Sequence, residues 1–225
     1  MDLYFILVKP AVPGNVGAAA RAIKTMGYTR LRLVAPCDYL GQEARMMAHA
    51  SEEILEGAEV FVGLKEAIAD LDMTVATTAK TRDARVEYSG ASKIPGMIMA
   101  KGNSVNKTGL VFGREESGLT NDEIRMCDLV SSIPMKQSYP SLNLGQSVMI
   151  YAYIMASYDR REYEISAPPL DQEGFRAMMD KSKKVLKDLD IDSNPALYNR
   201  VLERLASLGE DDIHLVHSIL NRYLK

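Results

Sequence analysis

The sequence predicts an α/β protein in which helices flank a mostly parallel sheet, with a small all-helical unit after it. Three observations carry that reading. Short apolar runs recur from Leu3 to Pro134. Helical patterns lie between most of them, and strands alternating with helices imply parallel pairing. After Tyr158 only helical patterns remain. The chain's 225 residues suffice for one α/β domain of roughly 150 residues plus an appendage.

Leu3–Val8 is a continuous apolar run closed by Lys9-Pro10, the pattern of a strand buried on both faces. RLRLV (Arg30–Val34), EVFVG (Glu59–Gly63), MTVATT (Met73–Thr78), GLVFG (Gly109–Gly113) and LVSSIP (Leu129–Pro134) repeat the theme. NVGAAARAIKTMG, LKEAIADL and TNDEIRMC read as helices. In the first, Val16, Ala19, Ala20, Ile23 and Met26 fill one arc at about 100° per residue, with Gly17, Arg21 and Lys24 opposite. Asn15 is its expected N-cap and Gly27 its stop. Gly17 lies one turn below Arg21, so another backbone can approach the arginine there. A helical glycine costs up to about 1 kcal/mol relative to Ala, which favours such an approach. Thr120 and Glu123 fit a capping box.

Ligands of parallel α/β sheets bind at the carboxyl ends of the strands. The segments to examine are therefore PAVPGN, TTAKTRD, FGREESG and PMKQSYPSLN. Gly113 ends a strand, where a ligand can lie against bare backbone. Neither GxxxxGK[ST] nor GxGxxG occurs there, which disfavours a generic flavodoxin-like nucleotide-binding enzyme. Glu115 and Glu116 suit a cationic or polar ligand better than an anion. PSLNLGQSVMIYAY (Pro140–Tyr153) runs from a polar turn straight into an apolar helix. Val148, Tyr151 and Met155 share one face, while Met149, Ile150, Tyr153 and Ile154 cover the others. A helix apolar all round is buried all round; one side can pack on the sheet, and a second subunit is the simplest cover for the other.

DRREYEISAPPLDQ, with Pro168-Pro169, reads as a linker. Beyond it Phe175, Met178, Met179, Ser182, Val185, Leu186 and Leu189 fall on one helical face, with Arg176, Lys181, Lys184 and Lys187 opposite. Two further helices are expected around Leu197–Leu208 and Asp211–Leu224.

The formal net charge of −3, with 47% hydrophobic and 25% charged residues, is that of an ordinary globular protein and argues against a strongly basic nucleic-acid wrapper. Cys37 and Cys127 have no metal-ligand spacing, so no metal site is expected. The N-terminus lacks the basic region of a signal peptide, and no apolar run reaches the roughly 20 residues of a membrane span. A cytoplasmic location is the expectation.

Taken together, NVGAAARA (Asn15–Ala22), LVFGREESGLTNDEI (Leu110–Ile124) and IPMKQSYPSLNLGQSV (Ile133–Val148) resemble, in order and spacing, the three motifs of the SpoU (TrmH) branch of the SPOUT methyltransferases. The resemblance is closest to the TrmJ-type and LasT-like groups. Pro140 stands where the TrmJ-type proteins often have Ser, and the PMKQSYPSLN loop is nearer the LasT-like form. The resemblance implies a SPOUT domain over residues 1–160 with a C-terminal trefoil knot, a linker over 161–171 and a small helical domain over 172–225. It implies a homodimer that methylates a ribose 2′-hydroxyl of RNA from S-adenosylmethionine. The target would be tRNA at the anticodon loop, with rRNA or a non-catalytic RNA-binding role as alternatives.

Carried over by motif, the cofactor contacts would be Thr77, Thr78, Ala79, Gly113, Ile133, Pro140, Ser141 and Leu142. Arg21 would hold the key catalytic role, reaching the site from the partner subunit, with Asn15, Glu115 and Asn143 positioning it. Ser141 or Tyr139 would relay the proton. An arginine, whose pKa lies above about 12, suits gripping the RNA phosphate and polarising the ribose better than acting as base. Lys24, Arg30, Lys80, Arg82 and Arg85, with Lys181, Lys184 and Lys187 of the tail, are the candidate RNA-binding residues.

Overall fold

The computed structural model describes residues 1–79, 88–137, 141–158 and 174–224. Seven strands form one wholly parallel sheet: β1 (Asp2–Val8), β2 (Arg30–Val34), β3 (Glu59–Phe61), β4 (Met73–Thr77), β5 (Tyr88–Gly90), β6 (Lys107–Phe112) and β7 (Leu129–Ser132), in the order β3-β2-β1-β6-β4-β7-β5. Six match the expected apolar runs. β5 is an addition, because YSG carries no apolar signal and joins only by pairing with β7 through Tyr88–Val130, Ser89–Ser131 and Gly90–Ser132.

Both sheet faces are covered, which is why β1 reads as an unbroken apolar run. Leu3, Phe5 and Leu7 point to one core; Tyr4, Ile6 and Val8 point to the other. The first core is closed by α1 (Pro13–Thr25), α5 (Ile94–Met99) and α7 (Leu144–Ala156). Phe112 of β6 meets Phe5 stacked at 6.4 Å and Tyr151 of α7 edge-on at 5.6 Å. The second core packs under α4 (Leu64–Ala67) and α6 (Asn121–Arg125). The LKEAIADL segment thus yields only one helical turn. Two helices without a clear sequence signal, α2 (Gln42–Ala48) and α3 (Glu52–Glu56), lie beside α1.

The ends of α1 differ from expectation at one terminus. Its N-cap is Val12, with Pro13 at the first helical position, so Asn15 sits inside the first turn. Its stop is as read: Gly27 (φ 82°) donates to Lys24 and Tyr28 donates to Ile23, closing a Schellman motif. Gly17 is buried rather than turned to solvent. A Cβ there would lie 2.1 Å from the Ala44 carbonyl oxygen of α2, so the backbone that approaches is this chain's own.

The tail forms α8 (Gly174–Asp188), α9 (Pro195–Ala206) and α10 (Glu210–Tyr223). Phe175, Met178, Met179, Val185 and Leu186 are buried as read, but Leu189 is half-exposed. Arg176 also departs from the polar face. It forks onto Asp128 at 3.2 and 3.0 Å and donates to the Asp72 carbonyl at 2.7 Å. Lys101, fully buried, donates to the Leu208 carbonyl and lies 5.1 Å from the Phe175 ring centroid. The tail therefore anchors at the amino-terminal end of β4 and β7. No described helix is long and apolar enough to cross a membrane.

Candidate functional site

The carboxyl ends of β4, β6 and β7 open into a cavity of about 140 Å³ that is partly continuous with solvent. Thr77, Thr78 and Ala79 line it after β4, the loop Gly113–Gly118 after β6, and Ile133 and Met135 after β7. Ser141, Leu142, Leu144, Ser147 and Tyr151 close it from the start of α7. Seven of the residues proposed from sequence for cofactor contact (Thr77, Thr78, Ala79, Gly113, Ile133, Ser141 and Leu142) thus share one wall system. Pro140 and Tyr139 lie outside the described residues, as do Lys80, Arg82 and Arg85.

Local bonds fix each wall. Thr77 donates its hydroxyl to the Val111 carbonyl at 3.0 Å, and the Thr78 N–H donates to the Ser131 carbonyl at 2.9 Å. The Gly113–Gly118 loop folds back on itself through paired Arg114–Gly118 backbone bonds. Arg114 forks onto Glu123 at 2.9 Å through both terminal nitrogens, and Glu123 completes the capping box with Thr120 on α6. The Arg114 guanidinium holds the Glu123 carboxyl below its usual range despite partial burial. Gly113 meets a second constraint besides the one read in the sequence. A Cβ there would lie 2.1 Å from the Gly118 carbonyl carbon and 2.2 Å from the Leu119 nitrogen. The returning loop meets the side where a Cβ would stand, while Gly113 itself still lines the cavity.

Glu115 occupies the junction of three elements. Its carboxylate accepts from the backbone N–H groups of Ala11 and Val12 at 3.1 and 3.2 Å and from the Asn15 side-chain amide at 3.0 Å. Burial works to raise its carboxyl, but these donors outweigh it and hold the pKa below the ordinary value. The Asn15 carbonyl oxygen in turn accepts from the Asn143 amide at 2.7 Å, and Asn143 caps α7 by accepting from the Gly145 N–H at 2.8 Å. Gly145 lets α7 cross α1 closely, since a Cβ there would lie 2.8 Å from Ala18 Cβ. The polar set Asn15, Glu115 and Asn143 is therefore one connected chain, spanning 128 residues of sequence between Asn15 and Asn143.

Arg21 lies exposed on α1 and does not line the cavity. It makes no hydrogen bond or ion pair among the described residues. Lys24 is committed instead to Glu53 and to the Ala50 carbonyl. Lys181 is likewise held, by His217 and Asn221. Phe112, Met135, Ser147 and Tyr151 are lining residues that sequence reasoning missed. Tyr151 reads as ordinary core at helical spacing, and only the register of α7 against β7 turns it to the cavity floor.

The fold and this site define an α/β protein of the SpoU class. The SpoU rRNA Methylase family model matches residues 2–153, and the C-terminal domain of the tRNA/rRNA methyltransferase LasT matches residues 172–225. The chain belongs to the SpoU rRNA methylase family. It is 37% identical over 221 residues to the uncharacterized tRNA/rRNA methyltransferase LasT of Escherichia coli (strain K12), covering 98% of this chain and 96% of that one. It is 40% identical over 152 residues to the tRNA (cytidine-2′-O-)-methyltransferase TrmJ of Methanocaldococcus jannaschii, covering 66% of this chain and 64% of the relative. Among solved structures, TrmJ from Z. mobilis ZM4 aligns over 100% of both chains with a TM-score of 0.69 at 28% identity.

Proposed function

We propose that this protein transfers a methyl group from S-adenosylmethionine to a ribose 2′-hydroxyl of RNA. The observation that carries the reading is the convergence of three separate loops and the start of α7 on one cavity. The donor set suits that cofactor. Phe112, Ile133, Leu142 and Leu144 offer apolar surface for a purine, and the ionised Glu115 and exposed Glu116 at the wall favour a cation over an anion. The bound cofactor supplies an electrophilic methyl group. The chain's task is alignment, which contributes roughly 7–11 kcal/mol when well arranged. Thr77–Ala79, Ile133, Ser141 and Leu142 hold the donor, with Pro140 beside them in sequence.

The Asn143–Asn15–Glu115 chain positions α1, which carries Arg21. Arg21 grips the phosphate and polarises the ribose from the partner subunit, and Ser141 or Tyr139 relays the hydroxyl proton to solvent. The dimer is supported by α7, which leaves Tyr153 60% exposed and Met149, Ile150 and Ile154 only partly covered. A monomer at micromolar concentration in sedimentation would refute it. The trefoil knot, the division at residues 161–171, a cytoplasmic location and RNA contact through Lys24, Lys80, Arg82 and Arg85 are further parts of this reading. Of these, Lys24 has the least support, because Glu53 already neutralises it.

The substrate we infer is tRNA at the anticodon loop, on the TrmJ relative. The full-length match to LasT, named for both tRNA and rRNA, favours rRNA as the second reading. Incubation with labelled cofactor and bulk tRNA or rRNA, then mapping of the modified nucleotide, decides between them. No label in either pool rejects methyl transfer and leaves an RNA-binding role.

A further inference from the structure

The cavity floor holds a buried pair that none of the three motif segments accounts for. Tyr151, 1% exposed, donates its hydroxyl to Ser131 Oγ at 2.8 Å, and Ser131 is fully buried in β7. Ser131 faces the other wall as well, since its backbone carbonyl accepts the Thr78 N–H at 2.9 Å. One serine thus ties the helix that begins just after Ser141 and Leu142 to the loop that presents Thr77, Thr78 and Ala79. The Tyr151 ring itself lines the cavity and is braced edge-on by Phe112 at 5.6 Å.

We propose that the Tyr151–Ser131 hydrogen bond sets the spacing between the two walls that hold the methyl donor, making Tyr151 a positioning residue for cofactor binding. The inference rests on the cofactor reading above. A phenylalanine would fill the same core volume, so the hydroxyl is not needed for packing. A buried hydroxyl that loses its partner incurs its desolvation penalty in the empty and the loaded protein alike, so that penalty lowers stability, and a change in Kd reports the spacing of the walls. Tyr151→Phe leaves Ser131 Oγ without its donor, and the Thr78 loop hangs on the same residue.

Calorimetric titration of the full chain with S-adenosylmethionine, alongside methylation kinetics on the responsive RNA, tests this. Tyr151→Phe is expected to weaken cofactor Kd and raise cofactor KM about tenfold, because slackened walls forfeit contacts with the donor, a factor equivalent to about 1.4 kcal/mol. Its kcat at saturating cofactor should stay within about twofold. Ser131→Ala should behave alike, and the double variant should be no weaker than either single one, since all three remove the same bond; a double variant with wild-type Kd would overturn the proposal. A Tyr151→Phe protein with lowered Tm but wild-type Kd would show a purely structural bond and overturn the proposal. So would a fall in kcat at unchanged Kd. Wild-type protein that binds no S-adenosylmethionine would overturn the cofactor reading itself, and this inference with it.

Discussion

Replacing Asn143 separates its two jobs, and the geometry says by how much. Its side-chain oxygen caps α7 at Gly145, and its amide donates to Asn15. Asn15 cannot turn its amide around to compensate, because its nitrogen is already committed to the ionised Glu115. Asn143→Ala loses a cap worth about 1 kcal/mol and a net hydrogen bond worth about 1 kcal/mol. Urea unfolding should therefore show a loss of about 2 kcal/mol. Asn143→Asp keeps the cap and gains a favourable charge at the helix N-terminus. It sets a carboxylate against the Asn15 carbonyl oxygen, so only the bond and some repulsion, about 1 kcal/mol, should be lost. Methylation should fall in both variants, since both uncouple α1 from the cofactor loop. Wild-type activity in Asn143→Asp would refute the connected polar chain, and a loss below about 0.5 kcal/mol in Asn143→Ala would refute the capping argument.

Three further outcomes are expected. Arg21→Ala should abolish methyl transfer while leaving cofactor affinity in calorimetry nearly intact; normal turnover would sink the assignment. Gly17→Ala should cost about 1–3 kcal/mol in chemical unfolding, because its Cβ overlaps the Ala44 carbonyl and backbone must move. Lys101 gives a pH signature: burial drags its ammonium down to about 8 from 10.5, against the pull of Asp128 and Asp212. The unfolded chain then holds one proton more than the folded one between those values, so stability should rise with pH by up to about 1.4 kcal/mol per unit there. Lys101→Met should flatten that rise relative to wild type, and parallel unfolding curves from pH 7.5 to 9.5 would contradict it.

Much of this molecule is legible in one dimension. The two-sided burial of β1, the Gly27 stop, the Thr120–Glu123 capping box and the apolar face of α8 follow from local pattern, because each depends on residues within a turn or a strand. The three motif segments point to these same loops through their family resemblance, not through local pattern. What tertiary structure alone decided are relations between distant segments. Asn15 is not a cap, because Glu115, 100 residues away, meets the start of α1. Gly113 and Gly17 serve this chain's own backbone, and Tyr151 becomes a cavity wall only through the register of α7 on β7. Arg176 leaves the polar face of its helix because Asp128 waits at the strand ends. Hydrophobic periodicity records which face of an element is buried, but it carries no term for what is buried against it, and the chemistry of this site lies in those pairings.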